Sequence, residues 1–134
     1  MAELNRAPIP PRLSSAKTVL LETRRRDGSW VGTPVSLVAI GNRLYFRTFD
    51  ASGKAKRLRN FPDVRVAPCS FLRGRPTAPA VRATAGELNG AEADVARRAL
   101  ARRYPLLHGR LVPHVHRRKG WTTLHYELSI DASY

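Results

Sequence analysis

Residues 18–49 read TVLLETRRRDGSWVGTPVSLVAIGNRLYFRTF, and their punctuation decides the fold. Asp27-Gly28 and Gly41-Asn42 are two-residue hairpin signals, because Gly, Asn and Asp accept the backbone angles that tight turns impose. Between and beside them stand β-branched and apolar runs: TVLLET, VGTPVSLVAI and RLYFRTF. In the last run, alternation puts Leu44, Phe46 and Thr48 on one face and Tyr45, Arg47 and Phe49 on the other. Strands joined by such short turns run antiparallel, since a parallel pair needs a crossover of a dozen residues or more.

Working outward, DASGKAKRLRNFP (residues 50–62) predicts a short helix over 53–60. Ser52 and Gly53 supply the start, Pro62 the stop, and Ala55 and Leu58 a buried side at i, i+3. VRVAPCSF is read as a strand, RGRPTAP as a loop and AVRATAGEL as another strand. NGAEADVARRALARRYPLL is a helix, with Ala93, Ala96, Ala99, Leu100, Tyr104 and Leu107 on one arc. Pro105 and Pro113 interrupt the segment after it, and WTTLHYELSI closes the chain as a strand with Thr122, Leu124, Tyr126, Leu128 and Ile130 on one face. The order β-β-β-α-β-β-α-β predicts a mainly β fold: an antiparallel barrel of six or so strands decorated by two to three helices. Residues 1–15 are expected to form a Pro-rich arm of extended character, and residues 16–134 a single barrel domain.

With 134 residues, 43% of them hydrophobic, the chain is long enough to bury a core without disulfides. Its one cysteine, Cys69, excludes an internal disulfide and reads as a small buried apolar residue. No apolar run reaches the roughly 18 residues of a membrane span, and the first residues lack the apolar centre of a signal peptide, so a cytoplasmic location is expected. There are 24 basic residues, 20 of them Arg, against 10 acidic ones, a net charge of +14. That surface attracts anions, whether nucleic acid, acidic lipid or a polyanionic small molecule.

Charge placement narrows the choice. A helix N-terminus carries roughly half a positive charge and unpaired N–H groups, so cations belong at its other end. The 91–104 helix obeys this, with Glu92 and Asp94 early and Arg97, Arg98, Arg102 and Arg103 late. The 53–60 helix does not: Lys54 and Lys56 crowd its first turn. A phosphate docked there, near the hydroxyls of Thr48 and Ser52 and the bare backbone of Gly53, reverses the sign of the problem. A solvated cationic face is the plain alternative. His114 and His116, at strand spacing without Cys or carboxylate beside them, are an incomplete zinc set, so no metal site is expected. His125 reads as a half-buried structural residue. No Walker loop, G-x-S-x-G or G-x-G-x-x-G is present, and Glu22, Glu87 and Glu127 stand alone in strands. Chemistry by this protein therefore needs a cofactor, and no side chain is assigned as catalytic. A nucleic-acid-binding barrel is supported by charge alone, since the basic residues are dispersed.

The stretches TVLLETRRRDGSWVGTPVSLV, RLYFRT and SGKAKRLRNFPDVRVAPCSFLRGRPT resemble the pyridoxamine 5′-phosphate oxidase-like proteins with the FMN-binding split β-barrel. Within them, the likeness is to the actinobacterial F420-dependent oxidoreductases, over residues 15–130. The resemblance implies a homodimer that binds coenzyme F420, or alternatively FMN, in a groove between subunits and passes a hydride to or from a small organic substrate. It implies that Lys54, Lys56 and their neighbours Ser52 and Gly53 hold the cofactor phosphate. Thr33, Pro34 and Val35 would lie along the ring system, and Arg47 and Thr48 near the phosphate or its linker. Arg73 and Arg75 would be candidates for the glutamate tail of F420. The chain departs from the family pattern at Ser70-Phe71-Leu72, where an acidic residue often follows the cysteine, and in the histidine-bearing segment 107–120. A non-catalytic flavin- or deazaflavin-binding protein is the alternative outside enzymology.

Overall fold

The computed structural model describes residues 8–70, 75–105 and 112–131. Among these described residues four helices and seven strands follow one another: α1 (Pro11–Ser14), β1 (Thr18–Arg24), β2 (Trp30–Ser36), β3 (Val38–Ile40), β4 (Arg43–Phe49), α2 (Gly53–Asn60), β5 (Asp63–Pro68), β6 (Val81–Glu87), α3 (Gly90–Arg103), α4 (Val112–Lys119) and β7 (Thr123–Ile130). The strands form one antiparallel sheet in the order β2-β1-β5-β6-β7-β4-β3.

That order dictates the shape. β2 and β3 lie at opposite edges of the sheet, yet a single residue, Leu37, joins them. The sheet must therefore curl until its two edges meet, and β2 approaches β4 across the seam. No ladder pairs β2 with β4, so the barrel is split there. The turns close as their residues demand. At the first hairpin Gly28 has φ of 90°, and the Asp27 carboxylate accepts from Ser29 N at 2.9 Å and Ser29 Oγ at 2.6 Å. Gly41 supplies the positive φ of the second.

Inside the barrel pack Val19, Leu21, Val35, Leu37, Leu44, Phe46, Val64, Val66, Ala83, Ala85, Tyr126, Leu128 and Ile130. Phe46 and Tyr126, opposite each other on β4 and β7, stack at 5.1 Å. α1 and α2 plug the barrel: Leu13 of α1 and Leu58 of α2 both join this core. α3 lies instead on the outer face of β3, β4 and β7, where Ala96, Ala99 and Leu100 pack on Val38 and Tyr45.

Three expectations are revised. The run 31–40 is not one strand; it breaks at the fully buried Leu37, where the chain changes edges. Segment 112–119 is a helix, and Pro113 sits in its first turn, where a missing N–H costs nothing. The arm's last residues form a helical turn rather than extended chain, and its Leu13 is 2% exposed. Arg73 and residues 107–111 lie outside the described residues, so the tail reading at Arg73 gains no geometry.

Candidate functional site: the mouth of the barrel at α2

α2 begins where β4 ends, at the barrel end reached by the last residues of β1. Ser52 is its N-cap, and its Oγ accepts from Ala55 N at 3.0 Å. Thr48 Oγ1, pointing into the barrel, lies 3.0 Å from the same oxygen. With Ala55 N and Lys56 N satisfied by Ser52, the N–H groups of Gly53 and Lys54 have no acceptor among the described residues. These are the orphan donors of a helix start, backed by the positive end of its dipole.

The cations around them are unbalanced. Lys54 is half-buried and Lys56 exposed, and no described carboxylate pairs with either. Burial, followed by the neighbouring Arg57 guanidinium, pushes the Lys54 ammonium down to about 8. Arg57 is the residue that reading the sequence missed. Its Nε donates to Thr23 Oγ1 at 2.6 Å, which anchors a side chain from α2 onto the rim of β1. Its Nη1 then lies over Gly53, only 2.9 Å from where a Cβ would be. Burial lowers the Arg57 pKa as well, with Arg25 adding to it. The signal was present: Gly53 and Arg57 are one helical turn apart, so an arginine at that offset returns to the helix start.

Thr33 and Val35 face the barrel interior, opposite Leu21 and Val19 of β1. Val35 is 7% exposed and belongs to the core. Thr33 keeps a buried Oγ1 with no hydrogen-bond partner. Such an atom costs about 1–3 kcal/mol unless something completes it. Pro34 is exposed on the opposite face of β2.

Thr48, Ser52, Gly53 and Lys54 are thus together, with Arg57 added to them. Arg47 is not on their side. As the neighbour of Thr48 it points to the outer face, buried under α3 and directly opposite His125. Burial and then Arg97 lower its pKa to about 10. His125 is 8% exposed with an unpartnered Nε2, and burial and then Arg47 push it down to about 4. Arg43 pairs with Glu127 at 3.5 Å on the same face. On the helix α4, His114 is exposed, whereas His116 is buried against Phe49 and Trp121 and hydrogen-bonded to Thr123 Oγ1. Residues i and i+2 of a helix diverge, so these histidines are no pair. Among the described residues no group of three His, Cys, Asp or Glu is placed to hold a metal ion. Cys69 is half-buried rather than fully buried, and burial raises its thiol pKa.

No protein-family model and no curated protein matches the sequence. Solved structures do. The chain is similar to Atu2129 of Agrobacterium tumefaciens, a protein of unknown function, with TM-score 0.69 and 19% identity over 90% of this chain; it spans about half (51%) of that protein. It is similar to HutZ, the heme storage protein of Vibrio cholerae, with TM-score 0.69 and 12% identity over 91% of this chain and 87% of that one. It is similar to an F420 reductase, with TM-score 0.57 and 14% identity over 92% of this chain and 97% of that one. Pyridoxamine 5′-phosphate oxidase-like and FAD-binding proteins share the architecture. The fold is therefore the split barrel of the flavin-binding proteins. No helix among the described residues is long and apolar enough to cross a membrane.

Proposed function

We propose that this protein is an oxidoreductase that binds coenzyme F420, with FMN the alternative, at the α2 mouth of a homodimer. It would move a hydride between the cofactor and a small organic substrate. One observation carries the reading: Lys54, Lys56 and Arg57 gather at a helix start whose Gly53 and Lys54 N–H groups stay open beside the Ser52 cap, with no described carboxylate to balance them. A phosphate completes that arrangement. It accepts from Gly53 and Lys54 N–H, lies on the positive end of α2 and neutralises the ammonium groups. Ser52 and Thr48 fix the shape of the turn, and Thr23 holds Arg57 across it. Thr33, Pro34 and Val35 form the strand beside the ring, with Pro34 on its exposed face. Arg47, behind the sheet, adds positive potential rather than a contact.

When bound, the cofactor supplies the hydride chemistry at its ring, and the chain's part is to anchor, orient and exclude water. The homodimer is supported by the outer face of β2, β1, β5 and β6, which α3 leaves bare. Trp30 lies there with the Arg65 guanidinium 4.4 Å above its ring. A non-catalytic binding protein remains the second reading, favoured by the placement of His125 and Glu127 under α3, away from the mouth.

Cofactor titration followed by fluorescence and thermal shift tests the reading. Either F420 or FMN at 100 times its dissociation constant should stabilise the fold by about 2.7 kcal/mol. Lys54→Ala/Lys56→Ala should lose binding far more than Arg97→Ala/Arg98→Ala. If neither cofactor binds at micromolar concentration, or both double variants lose equally, the reading fails. Sedimentation gives the oligomeric state, and turnover with quinones and enones separates an oxidoreductase from a carrier.

A further inference from the structure

Among the described residues, β3 is an edge strand that pairs only with β4. Edge strands expose unpaired N–H and C=O groups, and proteins usually guard them with charge, proline or a bulge. β3 carries no charge, proline or bulge, and its one protection is its shortness: it reads Val38-Ala39-Ile40. Ile40 is 44% exposed, and so is Val95 on the facing side of α3. Between strand edge and helix run two adjoining hollows of about 310 and 180 Å³, which share Ile40, Ala99 and Arg102. The apolar floor is a continuation of the small cluster of Val38, Ala99 and Leu100 beneath α3.

The rim of this groove is basic. Arg98 and Arg102 border it, both exposed and one helical turn apart, and no described carboxylate pairs with either. Their neighbour Arg97 is treated differently, with Asp94 at 3.4 Å. Arg103 is also engaged, donating to the carbonyls of Leu37 at 3.1 Å and Ser15 at 3.3 Å. No acidic side chain lines either hollow. Like charges one turn apart on a helix repel by a few tenths of a kcal/mol, so the pair costs stability where it stands.

We infer that the β3 edge and α3 form a docking groove for an extended acidic segment of a partner protein, which joins the sheet beside β3. Main-chain hydrogen bonds to the open edge give such a segment its hold, and side-chain pockets give it selectivity. Here the pockets demand apolar residues over Ile40 and Ala99, and carboxylates reaching Arg98 and Arg102. A second copy docked groove to groove fits poorly, because it brings the same Arg98 and Arg102 to the contact. A lipid surface presents no ordered row of alternating donors and acceptors to pair with a strand edge. The groove lies on α3 and β3, apart from the α2 mouth, so the inference stands independently of the cofactor.

The probe is a blocked, fluorescein-labelled octapeptide of Glu, Val and Ile, compared with a version bearing Lys for Glu and one with a central Pro. Anisotropy should show binding of the first alone, and hydrogen exchange should slow at Ala39, whose N–H faces away from β4, when it is bound. Arg98→Glu/Arg102→Glu, and separately Ile40→Lys, should each weaken it at least about tenfold, while Lys54→Ala/Lys56→Ala changes it little. Both sets of changes are on the surface, and thermal melts check that the fold is kept. No binding at about 1 mM, equal binding of the Lys or Pro peptide, or an equal loss in the Lys54→Ala/Lys56→Ala protein overturns the inference. So does a dimer that Ile40→Lys dissociates, or binding to phosphatidylglycerol vesicles that the same variants abolish; these outcomes assign the groove to a second copy or to a lipid.

Discussion

The Lys54 ammonium provides a direct handle on the α2 mouth. In the free protein, burial and then the Arg57 guanidinium push it down to about 8. A phosphate placed at the helix start offsets both effects and returns the lysine towards its ordinary value of about 10.4. A group whose pKa rises on binding takes up a proton as the ligand docks, so affinity is full below the free value and falls as pH climbs above it. Between pH 7 and pH 9 the dissociation constant should rise about tenfold, or about 1.4 kcal/mol, if the bound pKa exceeds about 10. The second ionisation of a phosphate monoester lies near pH 6, so the charge on FMN phosphate changes little over this window. Quenching of FMN fluorescence, or titration of F420, at fixed ionic strength measures the slope. Lys54→Arg should bind with no such slope, because its guanidinium stays charged. Lys54→Ala should bind weakly and equally flatly. A flat profile in the wild type, or an unchanged slope in Lys54→Arg, refutes the assignment of this lysine to the anion.

Neighbouring features carry further expectations. His125, pushed from 6.5 to about 4, is neutral when folded, so stability present above pH 6.5 drains away as pH falls towards 4. Urea titrations at pH 7.5 and pH 5 should differ by about 2 kcal/mol from this residue, and His125→Gln should remove most of that difference. Ser52→Ala removes the cap of α2 and should cost about 1 kcal/mol, read from denaturant midpoints, together with a loss of anion affinity. Thr23→Val releases Arg57 and should weaken cofactor binding, and it should also lessen the Lys54 slope, because Arg57 is one of the two causes that lower that pKa. Phe46→Ala vacates the centre of the barrel beside Tyr126 and should cost about 3–5 kcal/mol.

What the sequence discloses about this molecule is mostly local. Asp27-Gly28, Gly41-Asn42 and the Ser52 cap act within a few residues, and each is found where its chemistry places it. The alternation in 43–49 likewise separates barrel core from outer face. The break at Leu37 leaves no such mark, because Val35, Leu37 and Val38 are all apolar and the turn is imposed by barrel closure. The polar side of β7 looks solvent-facing, yet His125 and Glu127 are buried because α3 lies over them. Pro113 reads as a helix breaker until its position in a first turn is known. Arg57 and Thr23, 34 residues apart, become partners only when β1 and α2 meet at one rim.

The single-residue link at Leu37 also governs which lengths of chain this protein tolerates. A residue inserted there would shift β3 against β4 while β2 stayed fixed on β1, and a shift of one residue turns every side chain of a strand to its other face. Val38 and Ala39, which now face α3 and the barrel interior, would exchange surroundings. The hairpin loop at 25–29 carries no such constraint, since Arg25 and Ser29 close it from outside the barrel. Variation in length among descendants of this sequence should therefore collect at that loop and leave the link untouched, making residue 37 a fixed origin from which both edges of the sheet are counted.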